Sequence, residues 1–151
     1  MKKGVHERKP KGFEPQVQVV ACYIEIDDKL LLLQLSPRKS ESGAWGVPAG
    51  KLEKNETLES AAKRELFEET GISIEKYSQV QSLGALYIRK PEVDYTFHLF
   101  RIHLDQVPTV YLSDEHQNYR WATSEDIEEM PLMEGAREAL QYYRAALRRS
   151  G

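Results

Sequence analysis

The sequence predicts an α/β domain, a mixed β-sheet covered by helices on both faces, and three observations carry that prediction. The run Val17 to Ile26 is apolar and β-branched, breaks at Asp27-Asp28 and resumes at Leu30-Leu31-Leu32-Leu33-Gln34-Leu35, the pattern of a hairpin of two buried strands. Thr57 to Thr70 is rich in helix formers, with Asn55 or Thr57 placed as N-cap and Gly71 placed to close the helix in the left-handed conformation. Further on, the strand patterns Val80 to Ile88 and Thr96 to Leu104 are split by Arg89-Lys90-Pro91-Glu92, and a last helix after Pro131 carries Leu132, Ala136, Leu140, Tyr143 and Leu147 on one stripe. Strands and helices in this order suit a mixed sheet between helical layers.

The remaining elements are shorter. Pro37 to Gly43 is turn-rich, Trp45-Gly46-Val47-Pro48 is a brief apolar piece, and Gly50 to Asn55 is a polar loop. A short strand is predicted around Tyr119-Arg120-Trp121, and a short helix from Ser124 through Glu129.

The 151 residues suit one domain, and no repeat or linker divides them. A single domain over 16–151 is expected, preceded by a flexible N-terminal tail over 1–15 that is basic and lacks the apolar stretch of a secretory signal. A net charge of -3 offers no general attraction to a polyanion, so a nucleic-acid polymer is not an expected partner. The lone cysteine, Cys22, sits within an apolar run and reads as core. No window is long and apolar enough for a membrane span, which with the cysteine usage points to the cytoplasm.

The helix over 57–70 carries the chemistry. At about 100° per residue, Leu58, Ala61 and Ala62 start an apolar stripe that continues to Glu65 and Glu69, with Glu68 about 60° to one side. Residues three and four apart have Cβ atoms about 5–6 Å apart, so the three carboxylates can converge. Such a cluster raises its own pKa values unless a cation sits among them. Oxygen ligands alone favour Mg²⁺, Mn²⁺ or Ca²⁺, with Mg²⁺ the default partner of carboxylates and phosphates.

The helix belongs to a longer pattern: Gly50, five residues, Glu56, seven residues, then Arg64-Glu65-Leu66-Phe67-Glu68-Glu69-Thr70-Gly71-Ile72. This resembles the full Nudix box at all nine specified positions, a match whose chance frequency is on the order of 10⁻¹⁰ per starting point. The flanks, from the preceding hairpin to the C-terminal helix, are also similar to the family, with Ala49 where many members carry a second glycine. The resemblance implies the Nudix fold, an α/β/α sandwich with a mixed β-sheet between helices. It also implies a Mg²⁺-dependent hydrolase, Mn²⁺ serving as well, that cleaves the diphosphate linkage of a nucleoside diphosphate joined to another group: a nucleoside triphosphate, dinucleoside polyphosphate or nucleotide sugar.

By the same resemblance, Glu68 and Glu69 are the principal metal ligands, and Glu65 a ligand that in some members is also the general base. Arg64 orients these carboxylates, Glu56 is supporting or metal-linked, and Gly50 and Gly71 are backbone positions of the loop–helix–loop. Glu115-His116-Gln117-Asn118-Tyr119-Arg120-Trp121 is similar to a segment that supplies a further ligand or base in some members, which nominates Glu115 ahead of His116. Two rivals stand beside this. One is a Nudix-fold module that binds a nucleotide without cleaving it. The other is an isomerase of isoprenoid diphosphates, for which Cys22 in a buried strand is poorly suited. Dimerisation is common among relatives, so a homodimer is admitted, although no residue specifies an interface. Tyr23, Trp45, Tyr87, Tyr95 and Phe97 are candidates to stack a base, inseparable in sequence from core aromatics.

Overall fold

The computed structural model describes residues 4–74 and 80–150; residues 1–3 of the expected tail lie outside the described residues. The strands are β1 (Val5–His6), β2 (Val17–Ile26), β3 (Lys29–Leu35), β4 (Trp45–Gly46), β5 (Ala49–Lys51), β6 (Val80–Arg89), β7 (Asp94–His103) and β8 (His116–Ala122). The helices are α1 (Leu58–Thr70), α2 (Ser124–Glu128) and α3 (Ala136–Ser150).

The expected hairpin forms: Ile26 pairs with Lys29 across Asp27-Asp28, and Asp27 takes φ 53°, a left-handed conformation that aspartate tolerates better than most residues. β7 runs parallel to β2 along its length while the other pairings are antiparallel, so the sheet is mixed. Alternation along β2 then divides the core. Val20, Cys22, Ile24 and Ile26 face a cluster with Ala61, Ala62 and Leu66 of α1, whereas Ala21 and Tyr23 face one with Ile127 of α2 and Ala139, Leu140 and Tyr143 of α3. Helices therefore cover both faces, as the sequence predicts.

β2 and β3 pair only near their shared turn and then part. Into the fork come residues 45–51. β4 pairs with β3, β5 pairs with β2 through Val19↔Lys51, Val20↔Gly50 and Ala21↔Ala49, and Cys22 N–H donates to the Pro48 carbonyl at 2.8 Å. This insertion brings β5 against α1.

Two expectations are corrected. From Val5 onward the N-terminal segment is not a free tail: β1 pairs with β6, and Phe13 is buried with its ring edge-on to Tyr87 at 5.5 Å. Val5 and Phe13 are too widely spaced among lysines to register as a pattern, yet each finds an apolar seat. Leu132 is not in the last helix, because Gly135 at φ 85° turns the chain before α3 begins, and Leu132 bridges Trp45 instead.

Candidate active site

Local chemistry sets the ends of α1. Thr57, not Asn55, is its N-cap, the side chain accepting from Ser60 N–H at 3.1 Å. Gly71 closes it at φ 75°, its N–H reaching the Phe67 carbonyl at 2.8 Å. Ala61, Ala62 and Leu66 are fully buried, and Leu66 rather than Glu65 extends the apolar stripe. One turn on, Glu69 follows the same stripe into the protein and is only 4% exposed. Its Oε1 accepts the Ala49 N–H of β5 at 3.1 Å. Burial chiefly, then the Glu65 and Glu115 carboxylates, raise its pKa to about 9, against the opposing pull of that hydrogen bond.

Glu65 lies beside β5 at Gly50. A Cβ added there would run into the Glu65 carboxyl, so the glycine makes room for the acid. Burial again leads in raising the Glu65 pKa, opposed by Arg64 and assisted by Glu68 and Glu115. Glu115, in the loop before β8, is thus close enough for both Glu65 and Glu69 to feel it; its own carboxylate pairs with Lys39 at 3.2 Å. Glu68 stands apart, its side chain 55% exposed.

Arg64 ties these parts together. Its Nε donates to Glu56 Oε2 at 2.6 Å, Nη2 to Glu56 Oε1 at 2.9 Å and to the Lys51 carbonyl at 3.0 Å, and Nη1 to Glu65 at 2.7 Å and Glu68 at 3.1 Å. The bidentate pair lowers the Glu56 pKa to about 2, its Arg64 hydrogen bond leading and a Glu53 N–H adding to it. Glu56 is therefore a fixed anion serving Arg64.

Among the described residues, no three of the histidine, cysteine, aspartate and glutamate side chains are already gathered to hold a metal ion. Arg64 engages Glu56, Glu65 and Glu68 at once. The donor set nevertheless fits a hard divalent cation. Glu65, Glu69 and Glu115 are carboxylates coupled electrostatically, and Glu69 is a buried acid that stays neutral unless positive charge arrives beside it. Cys22 contributes no ligand or nucleophile: it is buried, its thiol points at the Ala62 carbonyl at 3.4 Å, and burial pushes its pKa far above the ordinary range.

On the other face of β5 a cavity of about 500 Å³ opens between the sheet and the chain leading into α3. Its lining is mainly apolar and includes Ala49, Val19, Tyr95, Phe97 and Leu140. Ala49 thus faces the cavity while its N–H serves Glu69, so cavity and acids meet at one residue. Of the aromatic candidates, Tyr95 and Phe97 line this space. Tyr23 reaches it but is core, stacked on Tyr143, and Tyr87 lies under Phe13 and Lys9. Alternation along β7 puts Tyr95 and Phe97 on one face; nothing in sequence says that this face meets open space. The cavity residues Glu41 and Glu134 are not among the sequence candidates, for they lie in loops outside the box.

An acidic helix end set against β5, with an apolar cavity of about 500 Å³ behind it on an α/β/α sandwich, suits an enzyme that acts on a phosphorylated small molecule. Residues 15–143 match the NUDIX domain family. The phosphatase NudJ of Escherichia coli strain K12 is 34% identical over 116 residues, which are 76% of this chain and 72% of that protein. Among solved structures, the MutT protein of Methanosarcina mazei Go1 superposes with a TM-score of 0.73 at 26% identity, over 91% of this chain and 96% of that one. A C. elegans Ap4A hydrolase superposes with a TM-score of 0.69 at 26% identity, over 87% and 97% respectively. The chain belongs to the Nudix family and is a pyrophosphohydrolase of it.

Proposed function

We propose that this enzyme hydrolyses the diphosphate linkage of a nucleoside diphosphate joined to a second group, in a reaction that requires Mg²⁺ or Mn²⁺. The observation that carries the reading is the buried Glu69, held on the Ala49 N–H beside Glu65 and at the edge of the cavity. Glu65, Glu68, Glu69 and Glu115 are the ligands we assign; Glu56, though a candidate ligand by resemblance, is given a supporting role because both its oxygens are taken by Arg64. When bound, the cation offsets charge on the phosphoryl oxygens and acidifies water.

The chain's own residues do the rest. The cavity holds the nucleoside, which leaves the diphosphate at β5. Water attacks one phosphorus, a P–O bond forms as the bridging P–O bond breaks, and the water proton passes to Glu65 or Glu115. Arg64 fixes the rotamers of Glu65 and Glu68 for this. The relatives' names, phosphatase for NudJ and Ap4A hydrolase for the structural neighbour, support this breadth of substrates without choosing among them.

The test is phosphate and pyrophosphate release over a panel of nucleoside triphosphates, dinucleoside polyphosphates and nucleotide sugars, with Mg²⁺ and with chelator. Glu69→Gln keeps the side-chain volume and the acceptor for Ala49, so it should fold and yet lose on the order of 10³-fold in rate. Full activity in that variant, or turnover indifferent to chelator, defeats the assignment. Glu65→Gln and Glu115→Gln then identify the base, since only its loss removes the acidic limb, the rise in rate as the base deprotonates, from the pH–rate profile.

A further inference from the structure

Beside Lys51, Lys90 and the core residue Tyr23, three polar residues interrupt the apolar lining of the cavity, and these three come from elements outside the Nudix box. Glu41, in the loop between β3 and β4, accepts the Glu134 N–H on Oε1 at 2.8 Å and so holds the chain before α3 beside the opening. Glu134 lines the same space and is exposed. Tyr95 of β7 completes the group, the Lys90 ammonium lying 5.7 Å from its ring centroid. Burial first, then the Glu134 and Glu41 carboxylates, raise the Tyr95 pKa, which places the phenol in the field of both acids. Among the described residues neither the Tyr95 hydroxyl nor the Glu134 carboxylate has a hydrogen-bond partner.

We propose that Glu41, Glu134 and Tyr95 are the specificity edge of the cavity, reading an amino group on the substrate's ring and rejecting a keto oxygen in its place. The proposal rests on the hydrolase reading above and adds the chemistry of the ring. Two carboxylates repel phosphate, an effect that Lys90 beside Tyr95 reduces but that still favours a nucleotide with its diphosphate turned away from them, toward Lys51 and Ala49 on β5. The ring then meets the carboxylates. Ionised carboxylates accept hydrogen bonds and donate none, so an amino group is satisfied there, whereas a keto oxygen sets acceptor against acceptor. A site whose polar groups go unpaired with the wrong partner discriminates more strongly than an apolar pocket does.

The experiment compares kcat/KM for CTP against UTP and for ATP against ITP, each pair exchanging an amino for a keto group, in the intact protein and in Glu134→Gln, Glu41→Gln and Tyr95→Phe. Calorimetric binding of CMP, UMP, AMP and IMP runs beside it. The expected result is a preference for the amino partner of about tenfold or more in at least one pair, the worth of one hydrogen bond to a charged acceptor. Glu134→Gln, which can donate to a keto oxygen, should narrow that preference to about threefold or less. Equal kcat/KM within both pairs, or an undiminished preference in all three variants, overturns the proposal. If no member of the full substrate panel is turned over but the monophosphates bind with the amino preference, the hydrolase reading fails and the specificity edge stands. Neither turnover nor a binding preference overturns the edge as well.

Discussion

Arg64 shows what a single side chain can do when its donors are fixed in a plane. It spends Nε and Nη2 on Glu56 and the Lys51 carbonyl, and Nη1 alone on Glu65 and Glu68. The first set anchors it; the second holds two candidate ligands by one oxygen each. A lysine offers no such fork, so the exchange would break the anchor. Gly50 tests how closely Glu65 must be held. In Gly50→Ala the new methyl collides with the Glu65 carboxyl, which is the movable end of a side chain, while the Gly50 backbone lies at no positive φ. The carboxyl should swing aside, costing roughly 1 kcal/mol or less in stability, but activity should fall by about tenfold or more because a ligand is displaced. Urea denaturation beside steady-state rates would check this: near-normal activity would mean that the position of Glu65 is unimportant, and a collapse of stability would mean that it cannot move.

At the scale of elements, what was legible in sequence is what is local. The α1 helix with its Thr57 cap and Gly71 stop, the β2–β3 hairpin and the sequence order of β6, β7 and β8 all follow from signals within a few residues. The spacing of the box likewise marks Arg64 together with Glu56, Glu65 and Glu68, the carboxylates it engages. The fork that admits residues 45–51 was not legible, because it depends on where β2 and β3 part company, and so the Ala49 N–H could not be foreseen as the partner of Glu69. Backbone donors leave no trace in composition. The N-terminal segment was missed for a related reason: its anchors are a distant strand pair and loop. Asp94, at the start of β7, accepts Arg89 Nε at 3.0 Å, Arg89 Nη2 at 3.1 Å and the Glu14 N–H at 3.1 Å, while Arg89 also lies over the Phe13 ring. Arg89 foremost lowers the Asp94 pKa below its ordinary 3.8, so the pair's stabilisation is present above 3.8 and is lost as pH falls beneath it. Asp94→Asn should therefore lower the urea midpoint at about pH 7, and the gap from the unaltered protein should close as pH falls below 3.8. A gap that stays constant across that range would show that the charge of Asp94 does not hold the segment.

In the whole molecule, the proposed ligand set makes folding and cation binding meet at one buried acid. The sheet buries α1 by an apolar face, and that face ends in Glu69, whose neutral form the fold prefers. Its folded pKa of about 9 lies above the ordinary 4.5, so its contribution to stability is fully present below 4.5 and is lost as pH rises through about 9. In chelator, then, the protein should melt at progressively lower temperature from about pH 5 to about pH 9. A divalent cation competes with the proton for the same carboxylate, so binding releases that proton and is favoured as pH rises. Adding Mg²⁺ should raise the melting temperature more at the alkaline end of this window than at the acid end, in line with ligand stabilisation of the native state. Glu69→Gln removes that exchange and leaves Glu65 as the remaining ligand with a raised pKa; its melting temperature should be flatter with pH in chelator, and its Mg²⁺ shift should grow less with pH than that of the unaltered protein. Differential scanning calorimetry of both proteins across the window decides it. A Mg²⁺ shift of equal size at both ends in the unaltered protein would separate Glu69 from the cation.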